Sequence, residues 1–264
     1  MVNIFQKIRS IEIQGAITIA EESLKYLKKY AKRHGFGLSF SNECDKLLKT
    51  RPTAVPLFNV ISMVKKSKSV ETIDELLFSI RGNRKKIAEN GSAVLKKSIV
   101  MTHCHSIEVV ALLKKNRNKI KSVIVTETRP KNQGLLTVKD LRGVLPVTFI
   151  VDSACGYYMK DTDIVIVGSD AIRKEGIVNK IGTYLLAVAA NEQGIPFYVA
   201  ASTLKYDKRK KIEIEMRSPK EIGEIERVKI LNPAFDITPW RYITGVITEQ
   251  GIKKPKEILM ELRG

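Results

Sequence analysis

Beyond about residue 95 the chain repeats one pattern, a short run of apolar, largely β-branched residues followed by a stretch of helical periodicity. The runs are Ser98 to Met101, Val123 to Thr126, Thr148 to Val151, Ile164 to Val167, Phe197 to Ala200 and Gly245 to Thr248. Strands that are apolar along their whole length must be covered on both faces, and helical connections of this kind join parallel neighbours. The expected fold is therefore α/β, with a Rossmann-like region and a mainly parallel sheet over 96–264. Residues 1–95 read differently. Apolar positions there recur at helical spacing, through Ile11, Ile19 and Leu24, then Leu47 to Met63, then Ile73 to Ile87, with no strand-like alternation. A turn signal at Asn90-Gly91-Ser92 closes the last helix, so a helical amino-terminal domain, 1–95, is expected before a carboxyl-terminal domain, 96–264.

In open α/β sheets ligands bind beyond the carboxyl ends of the strands. Four of the strand ends carry reactive or polar groups: Thr102-His103-Cys104-His105-Ser106, Glu127-Thr128-Arg129-Pro130, Asp152-Ser153-Ala154-Cys155 and Gly168-Ser169-Asp170. After the last of these, Asn179-Lys180-Ile181-Gly182-Thr183 is expected to open an apolar helix whose amino end presents a phosphate site. Each residue has a plainer reading. Asp170 serves equally as a loop cap, Cys104 as a small buried residue, Lys205 as a solvated charge, and Arg129, Asp152 and Asp236 as struts for strand ends and loops. His103 and His105 flank Cys104, but neighbours along a strand point to opposite faces and do not close on one ion. No metal is called for. The first strand is not followed by G-x-G-x-x-G, so a dinucleotide cofactor is not indicated either.

A chain of 264 residues, 44% of them hydrophobic, is long enough to bury real cores. No apolar run approaches the roughly 20 residues that span a bilayer, and the early glutamates leave no signal-peptide core, so the chain reads as cytoplasmic with no membrane partner. Cys44, Cys104 and Cys155 match no zinc spacing and no disulfide framework, and reduced thiols are expected. The net charge of +18 invites a nucleic-acid reading. Its basic runs, among them Lys208-Arg209-Lys210-Lys211, are spread along the whole chain without the interleaved aromatics of a single-strand platform, so nucleic acid is not the expected partner. A solvated basic surface explains them, and the same field would steer an anionic substrate.

Six segments together resemble a known family: Arg51-Pro52-Thr53-Ala54, Thr102 to Ser106, Thr126-Glu127-Thr128-Arg129-Pro130, Val167 to Asp170, Asn179 to Thr183, and Asn232-Pro233-Ala234-Phe235-Asp236-Ile237-Thr238-Pro239. It is the family that unites the α, β and δ regulatory subunits of translation initiation factor 2B with isomerases of ribose 1,5-bisphosphate and 5-methylthioribose 1-phosphate. The likeness covers nearly the whole chain. It implies a helical amino-terminal domain, a Rossmann-like carboxyl-terminal domain and a homodimer formed largely through the latter, with higher homo-oligomers built on it. The isomerases keep a strand-end cysteine and an aspartate that the regulatory subunits generally lack, and this chain has both, as Cys104 and Asp170. Its T-H-C-H-S variant and Lys205 look more like the ribose-bisphosphate branch.

The implied activity is an aldose–ketose isomerisation of a sugar 1-phosphate, ribose 1,5-bisphosphate to ribulose 1,5-bisphosphate, in nucleoside monophosphate salvage. An aldose with phosphate on C1 cannot open its ring unaided, so the reaction needs an acid at the ring oxygen and a base at the C2 hydrogen. By resemblance Asp170 is the acid and Cys104 the base. An aspartate in a partly apolar pocket stays protonated, and a thiol near helix amino ends and cations is expected to give up its proton. The resemblance assigns phosphate contacts to Gln14, Gly15 and Ala16, to Arg51, Ser106, Asn179 and Lys180, and the far phosphate to Lys205, without metal or nicotinamide. This chain departs from the isomerases at Gln14-Gly15-Ala16-Ile17, where they have Arg-Gly-Ala-Gly or Arg-Gly-Ala-Pro, and at Ile107, where the bisphosphate branch tends to have lysine. Two other classes stay open. One is a non-catalytic regulatory subunit that binds a sugar phosphate or nucleotide and an initiation-factor partner; the other is a nucleic-acid-binding protein, whose affinity would fall steeply with salt.

Overall fold

The structure, a computed structural model, describes residues 3–10, 12, 13, 15–211 and 214–263. Helices fill its first part: α1 (Ile4–Arg9), α2 (Ala16–His34), α3 (Leu38–Thr50), α4 (Val55–Ser67) and α5 (Val70–Asn90). Their apolar stripes meet in one core that includes Leu24, Leu27, Leu47, Leu57, Ile61 and Ile73. The expected helical stretch from Leu47 to Met63 is two helices, broken at Arg51-Pro52-Thr53-Ala54. Pro52 disfavours helical backbone at the residue before it, and Arg51 ends α3 with φ −150° and ψ 77°. The break brings Arg51 to the edge of the sheet region.

The main sheet contains β1 (Ser98–Thr102), β2 (Ile120–Thr126), β3 (Val147–Ile150), β4 (Ile164–Val167), β7 (Phe197–Ala200), β9 (Gly245–Thr248) and β10 (Gly251–Lys253). Their order is β10-β9-β7-β4-β1-β2-β3, parallel throughout except for the β9–β10 pair. Along its strands, side chains alternate between two cores. Val100, Val123, Val125, Ile164 and Ile166 pack with residues of α5, of α6 (Ile107–Lys115) and of α7 (Gly134–Leu141). Met101, Ile124, Val165 and Val167 face the other way, toward α8 (Cys155–Tyr158), α9 (Thr183–Glu192) and α10 (Pro255–Arg263). This is why the strands read as unbroken apolar runs.

Each of the six expected strands is present, although β2 begins earlier, at Ile120. The second sheet was not expected. It is antiparallel, with β5 (Ala171–Arg173), β6 (Gly176–Lys180) and β8 (Phe235–Pro239) in that order. Asn179 and Lys180 therefore lie on a strand, opposite Asp236 and Phe235, and correct the reading of 179–183 as a helix opening. The helix starts at Thr183, after Gly182. The physical reason is a partner remote in sequence: β6 is stabilised by β8, which lies beyond β7 in the chain. Among the described residues no helix is long and apolar enough to cross a membrane.

The chain runs β1 to β2 to β3 toward one edge and then returns to place β4 on the other side of β1. The crevice where the order reverses lies between β1 and β4. Gly134 shows how tightly that edge is packed, since a Cβ there would sit 1.9 Å from the Thr126 carbonyl oxygen. Gly134→Ala should therefore lower unfolding free energy by about 1–3 kcal/mol, measured by urea denaturation, with no change in far-ultraviolet dichroism at low denaturant.

Candidate active site

A cavity of about 730 Å³ opens at the switch point, walled by the loops that follow β1, β2, β4 and β7, by the amino end of α2 and by Arg51. Cys104 follows β1 and Asp170 follows β4, so the two reach the cavity from adjacent strands. The β1–β4 register, Val100 opposite Ile164 and Met101 opposite Val165, sets their relative height. Gly168 allows the two loops to touch: a Cβ on it would fall 2.6 Å from the Ser106 Cβ.

Cys104 has φ 67°, the left-handed conformation that disfavours a side-chain-bearing residue by roughly 1–2 kcal/mol. Neighbouring groups hold it there. Its N–H donates to the Thr128 hydroxyl at 2.8 Å, and the Thr137 hydroxyl donates to its carbonyl at 2.8 Å. Thr128 is in turn fixed by Asp152, whose two carboxylate oxygens accept from the Thr128 and Arg129 N–H groups, both at 2.7 Å. The thiol itself lies 3.8 Å from the Gln133 side-chain oxygen, an acceptor for its proton. Burial pushes the Cys104 thiol up to about 11, against a smaller opposing pull from Lys180. The expectation of a depressed thiol is corrected: within the cavity desolvation outweighs the nearby cation.

Asp170 sits at the root of the β5–β6 hairpin, where its N–H donates to the Val178 carbonyl at 2.8 Å. Burial raises its carboxyl above the ordinary aspartate range, opposed by Lys205, Lys180 and Arg51. Lys180 projects from β6 with its Nζ 5.0 Å from the centre of the Phe235 ring. Arg51 donates from Nε to Glu215 at 3.1 Å.

Of the other residues expected at the site, Gly15, Ala16, Ser106, Asn179 and Lys205 all line the cavity, and Gln14 lies outside the described residues. Gly15 and Ala16 begin α2, a helix of 19 residues with no side-chain cap among the described residues, so its first-turn amides are available to an anion. That role was expected of α9. Instead Asp236 accepts from the Gly182 and Tyr184 N–H groups, at 2.8 and 3.1 Å, and satisfies the α9 end from within the protein. Lys205 reaches the wall already bonded, its ammonium donating to the Glu108 carboxylate.

His103 and His105 diverge because the chain turns at Cys104, not because a strand continues through them. Buried His103 donates from Nε2 to the Ile181 carbonyl at 2.9 Å and accepts at Nδ1 from the Thr126 hydroxyl, while His105 pairs with Asp140 at 2.9 Å. Burial keeps the His103 imidazole below its usual range, and therefore neutral. Sequence reasoning missed Gln133, Glu108 and Arg217, all on the wall. Gln133 closes the loop begun by Thr126-Glu127-Thr128-Arg129-Pro130 and stands just before the helix-opening Gly134, a signal that could have found it. Glu108 was legible as an acidic residue in the first turn after the strand-end motif. Arg217, held by Glu215 and Glu221 at 3.2 and 2.5 Å, lies in an irregular segment with no local signal.

The model of the Initiation factor 2 subunit family matches residues 12–255. A ribose 1,5-bisphosphate isomerase of Methanocaldococcus jannaschii is 40% identical, with 96% of this chain and 91% of that protein aligned. Among solved structures, a Pyrococcus horikoshii OT3 translation initiation factor eIF-2B superposes with a TM-score of 0.85 at 28% identity, covering 96% of each chain. A 5-methylthioribose 1-phosphate isomerase from Pyrococcus horikoshii OT3 gives 0.80 at 30% identity, covering 98% of this chain and 86% of the other.

The elevated thiol has a direct consequence. Iodoacetamide labelling of Cys104, followed by peptide mass spectrometry, should accelerate about tenfold per pH unit toward a midpoint near pH 11, and Lys180→Met should move the midpoint higher. A midpoint at about 8 or below would contradict the dominance of burial.

Proposed function

This chain belongs to the Initiation factor 2 subunit family, and from that premise we propose that it is an aldose–ketose isomerase of a sugar 1-phosphate, with ribose 1,5-bisphosphate as substrate. The observation that carries the reading is the meeting of Cys104 and Asp170 on one cation-lined cavity at the sheet's switch point. The 40% identity to an archaeal ribose 1,5-bisphosphate isomerase supports it independently.

In this reading the 1-phosphate rests against the α2 amino end, Arg51 and Lys180. Asp170 protonates the ring oxygen as the bond from C1 to that oxygen breaks, and Cys104 removes the proton from C2, which leaves an enol across C1 and C2. The enol hydroxyl on C2 then returns a proton to Asp170, and Cys104 delivers its proton to C1. The product is the 2-ketose 1-phosphate, with every proton accounted for and both side chains restored. Burial suits the acid, because it keeps the Asp170 carboxyl protonated to higher pH. For the base it makes the thiolate scarce but strong. Lys180 is the cation that favours it.

A homodimer or higher homo-oligomer belongs to the same reading. It takes support from the exposed apolar side chains Phe149 and Val151, on and just after the edge strand β3, Tyr157 of α8 and Leu185 of α9. A second reading, a non-catalytic subunit that partners an initiation factor, draws on the Pyrococcus eIF-2B likeness. Recovery of initiation-factor subunits in a pull-down, with no turnover of any sugar 1-phosphate, would favour it.

Purified protein should convert ribose 1,5-bisphosphate to ribulose 1,5-bisphosphate, and Cys104→Ser and Asp170→Asn should each lower kcat by at least about a hundredfold. Unchanged turnover in either variant refutes the assigned roles. The pH profile is a sharper test. With the base titrating above the acid, the fraction carrying both thiolate and protonated carboxyl is small and constant between the two midpoints. The ratio kcat/KM should therefore be flat between those midpoints, falling below the Asp170 midpoint as thiolate is lost and above about 11 as the carboxyl stays ionised.

A further inference from the structure

The cavity wall carries an anion of its own. Glu108 and Lys205 both reach its wall, yet they are almost wholly buried, at 2% and 4% exposure. The Lys205 ammonium donates to one oxygen of the Glu108 carboxylate, and the Ser202 N–H donates to the other at 3.0 Å. Glu108 also stands in the first turn of α6, where the positive helix end favours negative charge. An ammonium, a backbone amide and a helix amino end are the groups that hold a phosphate oxygen. Here a carboxylate of the chain already has them, and Ile107 beside it adds no cation. Other parts of the wall differ: Lys180 makes no ion pair among the described residues, and the α2 amino end has no side-chain cap there.

We propose that Glu108 is a specificity-determining residue: its carboxylate occupies the oxyanion-binding groups at Lys205 and Ser202, so that this site distinguishes only weakly between pentose 1-phosphates with a second phosphate at C5 and those with a hydroxyl there. The inference rests on the isomerase reading and widens its substrate class from ribose 1,5-bisphosphate to pentose 1-phosphates. A C5 phosphate that approaches Lys205 meets a like charge in a partly desolvated setting, where repulsion is screened little. A C5 hydroxyl meets a carboxylate able to accept its proton. Binding strength is thereby concentrated at the 1-phosphate, next to the reacting carbons.

The test is calorimetric binding of ribose 1,5-bisphosphate and of ribose 1-phosphate to the wild type and to Glu108→Gln, whose amide oxygen can still accept from Ser202. The wild type should bind the two sugars within about tenfold of each other. Glu108→Gln should tighten the bisphosphate by at least about tenfold more than it tightens ribose 1-phosphate, and adding Lys205→Met should abolish that gain. Equal shifts for both sugars would overturn the proposal, because a strut that merely holds Lys205 in place affects them alike. A wild-type preference of about a thousandfold for the bisphosphate would overturn it as well. If Glu108→Gln does not give a cooperative melt, Glu108→Asp withdraws the charge by one methylene and should move the ratio in the same direction by a smaller factor; an unmoved ratio counts against the proposal. Failure of the wild type to bind either sugar would instead overturn the isomerase reading, and the inference with it.

Discussion

The pairing of β1 with β4 is the constraint from which the rest of the site follows. These strands are neighbours in space although β2 and β3 lie between them in the chain, and their parallel register sends both carboxyl ends to the same edge. The chain reverses its direction of travel across the sheet at this pair, so the loops that leave β1 and β4 diverge to opposite faces and leave a crevice between them. Cys104 and Asp170 are the residues those loops carry. Close packing then sharpens the geometry, with Gly168 against Ser106, and Thr128, Thr137 and Asp152 fixing the left-handed turn at Cys104.

The electrostatics of the crevice come from competition between burial and charge. Desolvation raises both the thiol and the carboxyl, and the cations that oppose it are Lys180 for Cys104, and Lys205, Lys180 and Arg51 for Asp170. Several of these cations are themselves compensated. Arg51 answers to Glu215, and Lys205 to Glu108, whereas Lys180 stands over an aromatic ring. The free positive field is consequently concentrated where α2 begins and where Lys180 projects. A strongly basic chain does not, by its composition alone, make a strongly basic cavity.

How much of this was legible in the sequence depended on the range of the interaction involved. The six main strands were readable because burial on both faces makes each an uninterrupted apolar run, and that demand is local. The strands β5, β6 and β8 were not, because Asn179 and Lys180 take extended backbone only by pairing with Asp236 and Phe235, more than fifty residues away. The same long-range contact gave the α9 amino end to Asp236 and left the anion-facing role to α2. Of the residues expected to touch substrate, every one within the described residues lines the cavity, since short motifs at the ends of strands and helices carry them there. Arg217 could not be foreseen, because its place on the wall depends on ion pairs made by a segment without regular structure.

Local patterns in the chain were enough to show the kind of protein this is: apolar runs of strand length, helical spacing between them, and a thiol and a carboxyl placed just past two strand ends. Those features are local and survive any rearrangement of neighbours. Folding alone settles which charges remain available in the cavity, that Lys205 is answered by Glu108, and that burial raises the Cys104 thiol. Proton affinity and free charge are set by which groups lie within a few ångströms and how much water is excluded, and those distances exist only once the chain has folded.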